Sequence, residues 1–170
     1  DDDEVPADRL AVTGEFRERR YPGGPLRSRT RDIAELTALW THSLANGKTS
    51  LSLGGSFAEE WATQERIDGD ASIWSIRSSL DHAFSDSLNA FFFLEYWEEG
   101  YDEERPDFST DPNLLVQRSD DLVYAGGGLI WTFAPGWTLR PAIEYDWENS
   151  NIPALAYSKT EAWVTVRKSF

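Results

Sequence analysis

Hydrophobic and polar residues alternate with a period of two in eight separate segments of the chain. These segments lie near residues 9–20, 33–44, 49–61, 72–84, 87–98, 121–133, 137–148 and 160–170. Such alternation places successive side chains on opposite faces of a pleated strand, and helical spacing is weak throughout. The pattern therefore predicts an all-β fold of eight strands, each with one apolar face.

The connections between these segments are alternately short and long. Tight turns are predicted at residues 45–48, 85–87 and 134–136, and polar loops at residues 21–32, 62–71, 99–120 and 149–159. One end of the sheet is therefore minimal and the other elaborated, as expected for antiparallel up-and-down strands. Outer-membrane barrels have this asymmetry, with short periplasmic turns and long extracellular loops.

Each tight turn also predicts which residues face one another across its hairpin. Asn46-Gly47 is a strong signal for a two-residue type I′ turn, and the other two turns read as three-residue connections. The predicted facing pairs are Trp40 with Leu53, Phe84 with Leu88, and Phe133 with Trp137. In all three hairpins the apolar faces of the two strands coincide, as register requires. Pro141 has no N–H for the ladder, so an irregularity is expected there, opposite the glycines at 126–128.

Aromatic residues gather at both ends of the apolar face, while its middle carries smaller aliphatic side chains. A soluble sandwich or lipocalin-like barrel would turn this face inward, whereas a membrane barrel turns it outward to lipid. Paired aromatic girdles favour the membrane architecture. The predicted girdle residues are Phe16, Trp61, Trp74, Phe84, Tyr96, Phe133, Trp137, Tyr145 and Trp147.

The opposite face carries charges, which would point into the barrel. An eight-stranded barrel is just wide enough for side chains to fill it, so inward charges must pair with one another or with water. We expect a polar plug rather than a gated conduit. The predicted lumen charge network consists of Glu15, Arg17, Arg19, Arg77, Asp81, Glu95, Arg140, Glu144, Asp146, Glu161 and Arg167.

The last nine residues, Ala-Trp-Val-Thr-Val-Arg-Lys-Ser-Phe at 162–170, form an alternating strand that ends in Phe. This segment resembles the C-terminal signature strand of Gram-negative outer-membrane β-barrels, although Lys168 departs from the usual apolar residue two positions before the end. The resemblance implies insertion by the barrel-assembly machinery, with Val164, Val166 and Phe170 as the assembly signal. It also implies a single domain over 1–170, whose short N-terminal segment at 1–8 and Phe170 lie on the periplasmic side. The acidic start at 1–4 is interpreted as a mature N-terminus.

Composition excludes several function classes. The chain has 16 Lys and Arg against 30 Asp and Glu, a net charge of -14 that argues against nucleic-acid binding. It contains no cysteine, so a disulfide, a thiolate nucleophile and a cysteine-based metal site are all impossible. No cofactor fingerprint is present, and none is expected.

Only His42 and His82 could serve as catalytic imidazoles. Both lie on the lipid-facing parity near the short turns, and their sequence neighbours Ser43 and Asp81 point to the other face. Barrel enzymes that modify lipid A have their catalytic groups near the outer leaflet, so these histidines lie at the wrong end. We therefore expect no catalytic activity.

Two long loops carry opposite charge. The loop at 99–120 and the residues before it are acidic, which favours a solvated or partner-binding loop over a divalent-cation site. The loop at 21–32 contains Arg27, Arg29 and Arg31, which are candidates for contact with lipopolysaccharide phosphates. The sequence thus predicts an outer-membrane barrel with an anchoring, structural or surface-interaction role, or an accessory subunit of an envelope complex; the alternatives are a narrow channel, a lipid-modifying enzyme and a soluble ligand-binding barrel.

Overall fold

The computed structural model describes residues 7–20, 30–44, 47–63, 66–107 and 110–169. Its eight strands form one antiparallel sheet in sequence order, which confirms the predicted up-and-down fold class. The strands are β1 (Ala7–Arg19), β2 (Arg31–Ser43), β3 (Thr49–Ala62), β4 (Ala71–Ser85), β5 (Leu88–Asp107), β6 (Asp111–Ala134), β7 (Trp137–Ser150) and β8 (Tyr157–Lys168). A short 3-10 turn at Pro153–Leu155 precedes β8. No helix in the described ranges is long and apolar enough to cross a membrane.

The register of the β2–β3 hairpin is as predicted, since Trp40 lies opposite Leu53. At the two three-residue turns the predicted pairs are wrong by one position: Leu88 faces Ser85, and Trp137 faces Ala134. An irregularity next to each turn accounts for the shift, because an extra residue on one strand displaces the pairing locally. The predicted faces therefore coincide again farther along both hairpins.

The prediction of a loop at 99–120 is wrong, because most of these residues belong to strands. β5 continues to Asp107 and β6 begins at Asp111, so the hairpin extends well beyond its neighbours. Acidic residues are poor strand formers, which is why their density suggested a loop. Two arginines interrupt the acidic run: Arg105 pairs with Asp68 from the β3–β4 loop, and Arg118 pairs with Asp120 on β6.

The irregularity expected at Pro141 is confirmed. The β6–β7 ladder leaves Leu129, Ile130, Arg140 and Pro141 unpaired and resumes in the same register. A Cβ atom at Gly128 would clash with the Pro141 carbonyl oxygen. Glycine is therefore needed here for close approach of the two backbones, without a bulge.

The sheet has one strongly apolar outer face. Leu10, Val12 and Val164 are 71%, 64% and 65% exposed. Soluble proteins rarely expose such a contiguous apolar surface, and a hydrocarbon environment would cover it. The predicted girdle residues lie on this face, where Trp74 packs edge-on against Tyr96 at 5.3 Å and Phe133 lies 6.2 Å from Trp137.

Seven ladders join neighbouring strands, and within the described residues no ladder joins β1 to β8. Both edges carry backbone N–H and C=O groups. In hydrocarbon each unpaired group costs several kcal/mol, about the scale that excludes open edges from bilayers. Pairing of β1 with β8 in lipid therefore follows as an expectation, and closure of the barrel stays a prediction.

Candidate functional site

The extension of the β5–β6 hairpin, residues 101–117, of which the structure describes 101–107 and 110–117, lies at the long-loop end. At its base β5 departs from β6, because residues 101–103 lie between the pairs Gly100 with Ser119 and Glu104 with Gln117. The Gln117 side-chain amide donates to the freed Tyr101 carbonyl at 2.7 Å. This break in the ladder leaves the β5 backbone free to contact another loop.

The β3–β4 loop forms hydrogen bonds with the β5 backbone that this break leaves free. The Asp102 amide donates to the Asp70 carbonyl at 3.1 Å, and the Glu103 amide donates to the Asp68 carbonyl at 3.3 Å. In return the Asp70 amide donates to the Asp102 carboxylate at 2.7 Å. Gly69 has a φ of 75°, and a Cβ atom there would clash with Asp102 and Glu103. Glycine thus permits both the left-handed turn and the close docking.

The loop between β7 and β8 supports the other side of the extension. The Ser119 amide donates to the side-chain oxygen of Asn151 at 3.0 Å, and the Asn151 backbone amide donates to the Ser119 carbonyl at 3.1 Å. The side-chain nitrogen of Asn151 donates to the Gln117 carbonyl at 2.7 Å. Ile152 is buried beside it. Two long loops therefore hold residues 101–117 from opposite sides.

Ion pairs between charged side chains stabilise this packing of the loops against the extension. We call Asp68, Arg105, Arg118, Asp120 and Glu148 the loop-end cluster. Arg118 lies 3.0 Å from Asp68, 2.5 Å from Asp120 and 3.6 Å from Glu148, and Arg105 lies 3.1 Å from Asp68. Asp68 and Asp120 are 4% and 1% exposed, so these carboxylates depend on their arginine partners.

Tyr101 forms the floor of the cluster. The guanidinium carbon of Arg118 lies 4.5 Å from its ring centroid, and that of Arg66 lies 5.1 Å away. Burial raises the pKa of the Tyr101 hydroxyl, and the Glu99 carboxylate adds to the shift. Burial acts against the charged form of Arg118, but hydrogen bonds with Asp120 and Asp68 raise its pKa overall. Arg118 is therefore a permanent cation that joins three elements.

A third buried carboxylate, Glu60, connects the cluster to the inner face. It is 1% exposed and pairs with Arg31 at 3.0 Å and with Arg66. Arg31 thus points inward. This corrects its prediction as a lipopolysaccharide contact, because the buried Glu60 attracts the side chain away from the lipid side. Arg27 and Arg29 lie outside the described residues.

Below Glu60 lies a cavity of about 570 Å³, which we call the vestibule. Arginines from β1 and β2 line one wall, with Glu35 and Glu60 beside them, and Trp97, Glu99 and Tyr101 line the opposite wall. Burial raises the pKa of the Glu99 carboxyl above its usual range, although a hydrogen bond from Tyr101 acts against the shift. The interior at this end is a lined space rather than a filled core.

The predicted lumen charges are distributed differently from the single network expected. Arg17 contacts Glu15 at 3.3 Å and Glu35 at 2.5 Å, and Glu35 was not among the predicted residues. Other predicted charges contact residues outside the predicted set instead of one another. Tyr124 donates to Glu144, Tyr157 donates to Asp146, Lys159 pairs with Glu161, and Arg140 lies over Phe91.

The remaining predicted residues lie in several places. Arg77 and Glu95 line a separate cavity of about 330 Å³, and Arg19 lines the vestibule. Asp81 and Arg167 face Ser50 and Thr138 across their ladders. Val164 and Val166 are exposed on the outer face, while Phe170 and the start of the N-terminal segment lie outside the described residues.

The two histidines occupy the short-turn end, as predicted. His42 bonds to Asp8 at 2.9 Å, and His82 bonds to the Thr49 hydroxyl at 2.8 Å. Within the described ranges, no group of three or more His, Asp and Glu side chains has the geometry to hold a metal ion. Absence of catalysis stays a prediction.

No protein-family model matches the chain, and no curated protein matches it. A search of solved structures finds similarity to the backbone structure of the Yersinia pestis outer membrane protein Ail in a phospholipid bilayer nanodisc. The identity is 16%, the match covers 95% of this chain and 98% of Ail, and the TM-score is 0.37. Independently of that likeness, eight up-and-down strands, an apolar outer face and a charged inner face are the features of an outer-membrane β-barrel.

Proposed function

We propose that this chain is an outer-membrane anchor that presents residues 101–117 as a rigid binding surface for a protein partner outside the cell. The observation that carries the proposal is the loop-end cluster, which holds the extension through buried ion pairs rather than leaving it as a solvated loop. A surface that is already ordered loses less conformational entropy when it binds.

The exposed residues of the extension suit such a role. Leu114 and Leu115 are half exposed near its tip, and Asp102, Glu103 and Glu104 are exposed along β5. Apolar contacts surrounded by polar residues are the usual composition of a protein interface. The outer leaflet lipid covers the aliphatic band below, and contact of Arg27 and Arg29 with lipopolysaccharide is part of the same proposal.

A photo-crosslinking residue at Leu115 tests the proposal in native membranes. We expect a discrete protein adduct, and we expect Arg118→Met in the same background to reduce it because the extension is no longer held. Ala154 is the matched control position, since it is exposed in a long loop at the same end but outside the extension. Equal adducts at both positions, or none at Leu115, would contradict the proposal. Stable single-channel steps in planar bilayers would favour a conduit instead.

Closure of the barrel has its own test, because the absence of cysteine gives a clean background. Val12 and Val166 lie on the outer faces of β1 and β8. We expect Val12→Cys to form a disulfide in the folded protein with one of three partners introduced at alternating β8 positions, Val164→Cys, Val166→Cys or Lys168→Cys. A shift in migration of unheated samples on detergent gels would report it. Failure of all three pairs would mean that the two edges do not meet. Insertion by the barrel-assembly machinery through Val164, Val166 and Phe170 also remains a proposal.

A further inference from the structure

The vestibule contains a pair of like charges where neighbouring strands should avoid one. Arg19 on β1 lies directly opposite Arg31 on β2, and Arg17 lies two positions before Arg19 on the same face. Side chains directly opposite on antiparallel strands have Cβ atoms about 4.5–5.5 Å apart, and like charges in that position are destabilising. Such a pair calls for an anion between or beside the two guanidiniums.

The carboxylates on this wall are already engaged. Arg17 forms ion pairs with Glu15 and Glu35, while Glu60 forms ion pairs with both Arg31 and Arg66. Arg17 and Arg31, which line the vestibule, thus each have a carboxylate partner, whereas among the described residues no carboxylate pairs with Arg19, which lines it as well. Its side chain is exposed to the solvent of the vestibule.

The wall across from the arginines has a different chemistry. Trp97 and Tyr101 line it together with Ile73 and Leu122, so apart from the Glu99 carboxyl it is aromatic and aliphatic. A cavity of about 570 Å³ with an apolar wall and a few convergent polar groups lies in the range for small-molecule sites, roughly 300–1,000 Å³. A ring stacked on Trp97 would leave its charged substituent directed at Arg19 and Arg31.

We propose that the vestibule binds a small organic anion, whose phosphate or carboxylate group is held by the guanidiniums of Arg19 and Arg31 and whose ring or carbon skeleton lies against Trp97. The planar fork of arginine matches both oxyanions with paired hydrogen bonds. Arg19 is the specificity residue, because Arg31 is already anchored by Glu60. The site lies on the inner face, apart from the exposed partner surface of the extension.

Isothermal titration of the full chain in detergent, stripped of lipopolysaccharide, tests the site with two probes, glucose 6-phosphate and glucuronate. Inorganic phosphate is titrated in parallel to separate recognition of the oxyanion from recognition of the ring. We expect saturable binding of both sugar anions, weaker binding of phosphate, and about a tenfold loss of affinity in Arg19→Gln. Arg19→Lys should lie in between, since it keeps the charge and loses the fork.

Arg9→Gln is the matched control, because Arg9 lies on the same strand at the short-turn end and does not line the vestibule. Its affinity should equal that of the parent chain. No saturable binding of either sugar anion, or equal affinities in Arg19→Gln and Arg9→Gln, would overturn the proposal. Heat-modifiable migration of each variant establishes that it is folded, so a negative result cannot be assigned to misfolding.

A lipid phosphate is the other source of the same oxyanion, and nanodiscs distinguish the two. If a soluble anion is the occupant, affinity for glucose 6-phosphate will be the same in nanodiscs of zwitterionic and of anionic phospholipid. A drop of tenfold or more in anionic nanodiscs, in the parent chain and in Arg9→Gln alike, would assign the site to a lipid headgroup and contradict the small-molecule proposal.

Discussion

The chain reverses direction at both ends of the sheet, but different interactions stabilise the connections at each end. At the short-turn end each connection is local: Gly47 and Gly136 take positive φ, and the Gly47 amide donates to the Leu44 carbonyl at 2.8 Å. At the long-loop end the connections depend on buried charges, such as Asp68 beside Arg118, from segments distant in sequence. A destabilising substitution should therefore have a local effect at the short-turn end and a wider effect at the long-loop end.

The largest expected effect comes from removing the shared cation of the loop-end cluster. Arg118→Met leaves the buried Asp120 without its arginine partner and Asp68 with Arg105 alone, and a broken buried ion pair costs about 3–5 kcal/mol. The loss should appear as faster hydrogen exchange of residues 101–117, with the spanning strands unchanged. Arg9→Met at the short-turn end is the control and should leave exchange at both ends unaltered. If exchange of 101–117 stayed slow in Arg118→Met, the cluster would not be what holds the extension.

A backbone substitution tests whether the loop docks as tightly as the hydrogen bonds indicate. Gly69→Ala introduces a Cβ atom that meets Asp102 and Glu103 at a residue with positive φ. We expect a cost of about 1–3 kcal/mol, the range for a strained backbone position. Limited proteolysis between residues 66 and 70 should accelerate. Gly14→Ala is the matched control, because a Cβ atom there would meet nothing within 4 Å and the backbone is that of a strand.

The contrast between the ends also marks how far the sequence could be interpreted. Alternation and Asn46-Gly47 predicted the Trp40 and Leu53 register, because a turn and a period of two are local properties. The Arg118 to Asp68 contact joins residues 50 positions apart, and the path of a loop through Gly69 decides it. Arg118 and Asp120 lie two positions apart in β6, which places them on the same face of a strand. This spacing was a signal for a longer strand, but the density of acidic residues around it favoured a loop.

Acidity should affect the long-loop end through Glu99. Burial raises the pKa of its carboxyl above the ordinary value of 4.5, so the folded state holds this proton more tightly than the unfolded state does. The resulting stabilisation is fully present below the ordinary value and is lost as the pH rises through the raised value. Hydrogen exchange of 101–117 should therefore slow when the pH falls from 7 toward the raised value, after correction for intrinsic rates. Glu99→Gln should remove this dependence, and an unchanged dependence in that variant would assign it to another group.

The smallest effect is expected at the short-turn end, where a substitution should disturb only its own turn and the adjoining end of β8. In Gly136→Ala the new Cβ atom meets the carbonyl oxygen of Ser169, and the positive φ disfavours any side chain. We expect a cost of about 1 kcal/mol, measured as a shift in the denaturant midpoint of the detergent-solubilised protein. Exchange at 101–117 should be unaffected, because no charge network connects the turn to the loop-end cluster within the described residues. If Gly136→Ala instead loosened the extension as much as Gly69→Ala, the two ends would be coupled through the strands, and the distinction between a local end and a cooperative end would fail.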